Sequence, residues 1–199
     1  MMSTKASIVH EIYHDDALSF TKEEVAFIEP KYKKVTFCKG DIILRANEHV
    51  EHQYFVADGC LRTFLISQSG KEHTIQFAIK GWWISDYIGF FSETNAVLNI
   101  ECIEDAILYK VSRDDVEAIF NKVPKTERYI RKKLQRSFVS FQKRILANLS
   151  QTAKERYINF THDYPNIESH VKNYHIASYL GITTESLSRI RKEIAEDAS

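Results

Sequence analysis

The chain has 199 residues, 44% of them hydrophobic, which suffices for one large or two small domains with modest cores. With no run of about 18 apolar residues, no secretory signal and three widely separated cysteines, we expect a cytoplasmic protein without a membrane span or disulfide framework. The net charge is zero but uneven. Residues 1–123 carry 13 basic and 19 acidic side chains (net −6), and residues 124–199 carry 14 and 8 (net +6), a basic half suited to phosphate.

The first 123 residues predict a short helix followed by short strands. The pair Thr21 and Glu24 forms a capping-box pattern, which predicts a helix from about Lys22 to Glu29. After Pro30, runs of β-type residues alternate with glycine turns. The predicted strands are Lys33–Cys38, Asp41–Arg45, Gln53–Ala57, Leu61–Ser67 and His73–Ile79, with further strand in Asn99–Val111. Regular short strands of this kind predict an antiparallel β-roll or jelly roll.

An aromatic-rich stretch follows Gly81. Its candidate effector-pocket residues are Trp82, Trp83, Ser85, Asp86 and Tyr87. The aromatic rings are suited to an apolar or aromatic small molecule of unknown identity. Alternatively, the rings fill the roll and seal it against the long helix, and this second interpretation is favoured.

Two helices are predicted next. Ser112 or Asp114 caps a short one, and Pro124 starts a long one. Along the long helix the apolar residues Leu134, Phe138, Phe141 and Ile145 recur at spacings of four, three and four, which is heptad spacing. This stripe is either a dimer interface between side-by-side copies or a face that packs on the chain's own β-roll.

The C-terminal region predicts a helix over Gln151–Tyr164, ended by Pro165 and Asn166, and then a helix-turn-helix over His175–Glu193. In that motif Ala177 permits close approach of the helices, Gly181 makes the turn and Thr183 caps the second helix. The predicted DNA-binding residues are Thr183, Thr184, Glu185, Ser188, Arg189 and Lys192. Arg189 is suited to guanine and Glu185 to cytosine. The alternative is a surface helical hairpin with a Glu–Arg pair.

These residues carry a resemblance to a known family. The motif Glu185-x-x-Ser188-Arg189 is similar to the Fnr-type reading motif of the Crp–Fnr family of bacterial transcription regulators, in which it goes with TTGA-like half-sites. Thr184 stands where the cyclic-AMP receptor itself has Arg. The strand-and-turn patterns Gly40-Asp41-x-Ile43 and Tyr54-Phe55-Val56-x-Asp58-Gly59 resemble the family's sensor domain.

The resemblance implies an α+β chain with three parts. These are a cyclic-nucleotide-binding-like β-roll sensor (1–123), a dimerisation helix (124–148) and a helix-turn-helix DNA-binding domain (149–199). It also implies a homodimer on a palindromic DNA site, with RNA polymerase as a further partner. Since the sequence stops at Ser199 without a β-hairpin wing, phosphate contacts are expected from Lys172, Arg191, Lys192 and helix N-termini.

This sequence departs from the pattern of the family's cyclic-nucleotide-binding cassette. Ser85-Asp86 stands where Gly-Glu would hold the ribose, and the phosphate-binding Arg position falls near Ala96. Residues 81–109 contain no Lys or Arg, so a buried phosphate would have no cation there. We therefore predict that the protein does not bind cyclic AMP in the family manner.

Two rival function classes are weighed against the regulator. His49 and His52, beside Glu48 and Glu51, vaguely resemble a cupin metal site, but their spacing is that of a polar turn. The cysteine cluster of an Fnr-type iron–sulfur protein is absent, so no metal, cofactor or catalytic residue is predicted, and the protein is not expected to be an enzyme. The other alternative is a non-DNA-binding interaction protein.

Overall fold

The computed structural model describes residues 7–15, 17–165 and 167–197. It confirms the α+β fold, with antiparallel sheets in the N-terminal part and helices in the C-terminal part. The eight strands are β1 (Lys33–Phe37), β2 (Ile42–Leu44), β3 (His52–Asp58), β4 (Cys60–Ile66), β5 (Glu72–Ile79), β6 (Trp83–Ile84), β7 (Asn99–Cys102) and β8 (Ala106–Ser112). They form two four-stranded sheets, in the orders β1-β8-β3-β6 and β2-β7-β4-β5.

Eight α-helices are found in the described residues. They are α1 (Ile8–Ile12), α2 (Lys22–Ile28), α3 (Tyr87–Ser92), α4 (Arg113–Lys122), α5 (Pro124–Ser150), α6 (Ala153–Asp163), α7 (Asn173–Leu180) and α8 (Thr184–Asp197). Short 3₁₀ turns occupy Glu29–Lys31 and Ile167–Ser169. Among the described helices, none is both long enough and apolar enough to cross a membrane.

The chain forms two compact units. The first contains the described parts of Met1–Thr63 and Phe77–Leu134, and the second contains Phe64–Gln76 and the described part of Gln135–Ser199. The first unit is therefore most of the β-roll with helices α1 to α4 and the start of α5. The second unit combines the tip of the β4–β5 hairpin with the rest of α5 and helices α6 to α8.

Two apolar cores share the strands of the first unit, because side chains alternate across a strand. On β8, Ala106 and Leu108 face a core between the two sheets, whereas Tyr109 and Val111 face the helices. That helix-side core includes Val9 and Ile12 from α1, Ile28 from α2 and Ile119 from α4, all fully buried. A strand covered on both faces loses the strict polar alternation of a half-exposed strand, which is why β3 and β8 read as nearly continuous apolar runs.

The turn between β3 and β4 admits only glycine. Gly59 has a φ of +96°, which side chains other than glycine rarely adopt, and an added Cβ would lie 2.5 Å from the carbonyl oxygen of Asp105. The Asp58-Gly59 pattern thus marks a turn in which the neighbouring loop between β7 and β8 leaves no space for a side chain at position 59.

The structure departs from the predicted elements mainly after Gly81. The aromatic stretch contains a short strand, β6, and a helix, α3, where only a ligand cassette was expected. Asp86 begins α3 because its carboxylate accepts from the backbone N–H groups of Ile88 and Gly89. The predicted strand over Asn99–Val111 is two strands, β7 and β8, separated by a turn at residues 103–105. Helix α1 was not predicted.

The two buried cysteines are expected to be unreactive. Burial raises the pKa of Cys60 and of Cys102 to about 12, whereas Cys38 is exposed. Because the thiolate is the reactive form, an aromatic disulfide reagent at neutral pH should label one thiol quickly and the other two only on unfolding. Counting labelled thiols against time, in the parent and in Cys38→Ser, measures this. Fast labelling in Cys38→Ser would contradict the buried placement.

Candidate nucleic-acid interface

Helices α7 and α8 meet at the turn that the sequence predicts. Gly181 has a φ of +68° and ends α7, and the N–H of Ile182 donates to the carbonyl oxygen of Ala177 at 3.0 Å. Thr183 caps α8, since its hydroxyl oxygen accepts from the N–H of Ser186 at 3.2 Å. The hydrogen bonds needed to stop one helix and start the next are therefore all local.

The buried face of the two helices fixes how α8 lies. Ile176, Ala177 and Leu180 of α7 are at most 4% exposed, and Leu187 and Ile190 of α8 are at most 5% exposed. Residues three apart on α8 share one face, so burial of Leu187 and Ile190 turns the opposite face outward.

The outward face of α8 carries most of the predicted DNA-binding residues. Glu185, Ser188, Arg189 and Lys192 are all exposed and recur at helical spacing, which places them on one face. Thr184 is half-buried, and its hydroxyl donates to Glu185 Oε1 at 3.2 Å. The Ser188 hydroxyl donates to the carbonyl oxygen of Thr184 at 3.0 Å, so it is used within the helix.

Glu185 and Arg189 present opposite charges that are not paired with each other. In the described part of the chain the Arg189 guanidinium has no hydrogen-bond or ion-pair partner. Bonds from its own backbone N–H and then from the hydroxyls of Thr183 and Thr184 lower the pKa of Glu185, which keeps the carboxylate charged at neutral pH. The surface-hairpin alternative relied on a Glu–Arg pair, and that pair is not formed.

Arg191 has a different role from the expected phosphate contact. Its Nε donates to Glu168 Oε1 at 2.9 Å and its Nη1 donates to Asn173 Oδ1 at 2.7 Å. Tyr157 Oη donates to the same carboxylate at 2.6 Å. Arg191 therefore ties α8 to the preceding 3₁₀ turn, α7 and α6, and it holds α8 in place within the protein. Its partners lie 18 to 34 residues away, so local spacing gave no sign of this network.

Lys172 and Lys192 remain exposed. Lys172 lies 5.8 Å from the centre of the Tyr174 ring, and Lys192 Nζ lies 3.7 Å from Glu196, one helical turn further on. Both ammonium groups are held only by weak, solvent-exposed contacts, so either can turn to a phosphate.

The candidate effector residues do not converge on one point. Trp82 and Tyr87 pack on the core between the sheets, whereas Trp83 packs on the helix-side core, 5.5 Å from the Phe55 ring. Ser85 is buried and donates to the carbonyl oxygen of His52 at 3.0 Å. The predicted effector pocket stays a prediction, but these contacts favour the packing interpretation for Trp83 and Ser85.

Asp86 is fully buried and is used by the backbone. Its Oδ1 accepts from Ile88 and Gly89 at 3.0 and 3.1 Å, and its Oδ2 accepts from Val97 and Leu98 at 2.5 and 2.8 Å. Four N–H donors compensate the buried carboxylate without a cation. Asp86 therefore joins the start of α3 to the segment that enters β7.

A buried arginine in the roll escaped the sequence analysis. Arg62 on β4 is 3% exposed, and its Nε donates to Glu101 Oε2 on β7 at 2.7 Å. Because this guanidinium is already paired with a carboxylate, it does not supply an unpaired charge for a buried phosphate. The two residues are 39 positions apart, and only the sheet brings them together.

The apolar stripe of α5 is exposed in the single chain. Leu134, Phe138, Phe141 and Ile145 are 43%, 63%, 40% and 58% exposed. Three further apolar residues of the same helix that heptad spacing does not predict are also exposed, namely Val139, Leu146 and Leu149. The four large apolar side chains of the stripe share one helix face, and exposed apolar surface of this kind marks an interaction surface.

The two histidines of the cupin alternative do not form a metal site. His49 makes an isolated β-bridge with Asn95, and His52 starts β3 with Nδ1 3.7 Å from the exposed Glu51. Within residues 7–15, 17–165 and 167–197, no three His, Cys, Asp or Glu side chains are grouped to hold a metal ion.

Residues 34–123 match a family model described as the cyclic nucleotide-binding domain. The chain is similar to the regulatory protein HlyX of Actinobacillus pleuropneumoniae, with 24% identity over 169 residues, covering 76% of this chain and 67% of that protein. It is also similar to the anaerobic regulatory protein of Haemophilus influenzae, with 23% identity over 171 residues, covering 79% of this chain and 65% of that protein. The chain thus spans about two thirds of the length of these curated relatives.

Solved structures share the fold. One is that of FixK2 from Bradyrhizobium japonicum, with a TM-score of 0.72 and 20% identity, covering 84% of this chain and 86% of that one. Another is a transcriptional regulator of the crp/fnr family from Eubacterium rectale, with a TM-score of 0.66 and 18% identity, covering 89% and 85% of the two chains.

Proposed function

We propose that the chain, which is similar to regulators of the Crp–Fnr family, is a sequence-specific DNA-binding regulator that reads a palindromic site as a homodimer. The observation that carries this proposal is the outward face of α8, where Glu185 and Arg189 are exposed, charged and not paired with each other. It acts by binding and not by catalysis.

Base reading follows from the chemistry of these two side chains. The Arg189 guanidinium can donate two parallel hydrogen bonds to O6 and N7 of a guanine, and the Glu185 carboxylate can accept from N4 of a cytosine. Neither group has to break an internal ion pair first. The resemblance to the Fnr-type motif makes TTGA-like half-sites the expected target. Lys172 and Lys192 would supply phosphate contacts that set the register.

Homodimerisation is supported by the exposed stripe of α5. Covering Phe138 and Ile145 with a second copy would remove apolar surface that is 63% and 58% exposed in one chain. Two copies also present two reading helices, which on DNA must be about one helical turn (roughly 34 Å) apart. A single α8 reads few base pairs, so the symmetric arrangement gives the needed specificity.

The remaining parts of the proposal concern the sensor and the partners. The β-roll senses a signal other than cyclic AMP, since the Gly81–Tyr109 stretch has no Lys or Arg and Arg62 is already paired with Glu101. The regulator works in the cytoplasm, with RNA polymerase as the second macromolecular partner. A sensed change would alter the spacing of the two reading helices through α5.

Selection of bound sequences from a random duplex pool tests the function directly. The proposal expects a palindrome with TTGA-like halves, and binding that weakens steeply as salt rises. Selection of asymmetric or unrelated sequences would contradict the homodimer or the base assignments. Failure to retain any duplex at low salt would favour the non-DNA-binding interaction protein.

Arg189→Ala should weaken binding to the selected site by about 1–3 kcal/mol, or roughly 5- to 150-fold, and should relax the preference at one base pair. The matched control is Lys192→Ala, which should weaken selected and random duplexes about equally and reduce the salt dependence. Titration of labelled duplexes with single base changes measures both. Equal weakening on all sequences by Arg189→Ala would make Arg189 a phosphate contact.

A further inference from the structure

A cavity of about 460 Å³ lies inside the second unit, between the C-terminal half of α5 and helices α6 and α7. Four permanent cations line it, namely Arg136, Lys143, Arg144 and Arg156. The lining also includes two aromatic rings, Phe160 and Tyr179, whose centres are 5.3 Å apart. Its volume is within the range of about 300–1,000 Å³ that is typical of small-molecule pockets.

The positive charge of this cavity exceeds the negative charge in its walls. Among the described residues that line it, Asp163 is the only acidic one, and it lies 3.5 Å from His162. With His162 neutral, four positive charges face one negative charge, a net +3. Such an excess of one sign in a concave site focuses the field and attracts anions.

The two half-buried arginines are held by carbonyl oxygens, which position a guanidinium without neutralising it. Arg144 donates to the carbonyl oxygens of Thr74 and Ile75, and its guanidinium lies 4.0 Å from the centre of the Tyr179 ring. Arg156 donates to the carbonyl oxygens of Gln151 and Leu180 at 2.8 and 3.2 Å, and its buried Nε has no hydrogen-bond partner. An anion would supply the missing countercharge.

The other two cations are free to meet a ligand. In the described part of the chain, Arg136 and Lys143 have neither an ion pair nor a side-chain hydrogen bond. Both extend from the exposed surface of α5, about two turns apart, on the same helix face. The side chains of Arg136 and Lys143 can therefore bend over an anion that Arg144 and Arg156 attract into the cavity.

The cavity stays open if α5 dimerises along its apolar stripe. Arg136, Ser140, Lys143 and Ala147 each follow a stripe residue by two positions. Two positions correspond to a rotation of about 200° on an α-helix, so these cavity residues lie on the side of α5 opposite the stripe.

We propose that this cavity binds a small phosphorylated ligand of nucleotide size. Its phosphate groups contact Arg136, Lys143 and Arg156, and its ring packs against Phe160 or Tyr179. Since the lining joins α5 to the helices that precede the reading helix, an occupied cavity would stiffen the connection between them. This site is separate from the candidate effector residues that follow Gly81 and does not depend on DNA binding.

Calorimetric titration of the full chain with ATP, and separately with pyrophosphate, tests the site without DNA. At about 0.15 M ionic strength we expect saturable binding tighter than about 1 mM for ATP. Arg136→Gln combined with Lys143→Gln should weaken it about tenfold, because two charge-assisted contacts are lost while the internal hydrogen bonds of Arg144 and Arg156 stay intact.

The matched control removes two charges from the same helix outside the cavity. Arg131→Gln with Lys132→Gln, both exposed on α5, should leave the affinity within about twofold. No ATP or pyrophosphate binding at about 1 mM, or equal loss in both double variants, would overturn the proposal. If the cavity variant instead weakened random-duplex binding alone, the cavity would be a DNA phosphate contact and the small-ligand site would be wrong.

Discussion

Asp86→Ala is expected to lower the free energy of unfolding by about 4 kcal/mol or more. The carboxylate is fully buried and accepts from the backbone N–H groups of Ile88, Gly89, Val97 and Leu98. Alanine would leave four buried donors without an acceptor, and each such group costs about 1–3 kcal/mol unless water reaches it. Since domains are typically stable by about 5–15 kcal/mol, this change should remove a large share of the stability and lower the midpoint of unfolding clearly.

Urea unfolding followed by circular dichroism measures this loss. Asp86→Asn should fall between the parent and the alanine variant, because an amide oxygen can still cap α3 while the amide nitrogen faces the donors of Val97 and Leu98. Asp58→Ala, at an exposed carboxylate, is the control and should change the stability by about 0.5 kcal/mol or less. If Asp86→Ala matched that control, the carboxylate would be available to a ligand, as the sequence analysis proposed.

Phe138→Asp should convert the proposed dimer of about 46 kDa to a monomer of 23.2 kDa and weaken binding to a palindromic site at least about hundredfold. Phe138 is 63% exposed in the single chain and stands in the middle of the apolar stripe of α5. A charge there would have to be buried against its own copy, which places two carboxylates together. Loss of the second reading helix then removes the gain from simultaneous binding of two half-sites.

The control for this change is Ile158→Asp, which places the same charge on a half-exposed apolar residue of α6, away from the stripe. Light scattering after gel filtration gives the mass, and duplex titration gives the affinity. Both should stay near the parent values in Ile158→Asp. A Phe138→Asp protein that keeps the dimer mass would show that the stripe is not the dimer interface.

The elements that local pattern predicts well are those whose hydrogen bonds close within a few residues. The Thr21–Glu24 capping box is present, with bonds of 2.7 and 3.2 Å, and so are the turn at Gly181 and the cap at Thr183. Each depends on residue types three or four positions apart. The same locality let the helix-turn-helix be recognised within 19 residues. The exposure of the α5 stripe and the unpaired state of Arg189 are properties of the folded chain, which local pattern does not give.

Sequence alone indicated the resemblance to the Crp–Fnr family, the succession of short strands, long helix and helix-turn-helix pattern, and the lack of basic residues in the stretch from Gly81 to Tyr109, because all three reside in local composition and spacing. Tertiary structure decided which polar groups are already occupied. Asp86 meets donors 11 and 12 residues ahead, Arg62 meets Glu101 39 residues away and Arg191 meets Glu168 23 residues back. Long-range pairing depends on how sheets and helices pack, and this packing gives Arg191 its partners within the protein and forms the cationic cavity beside α5.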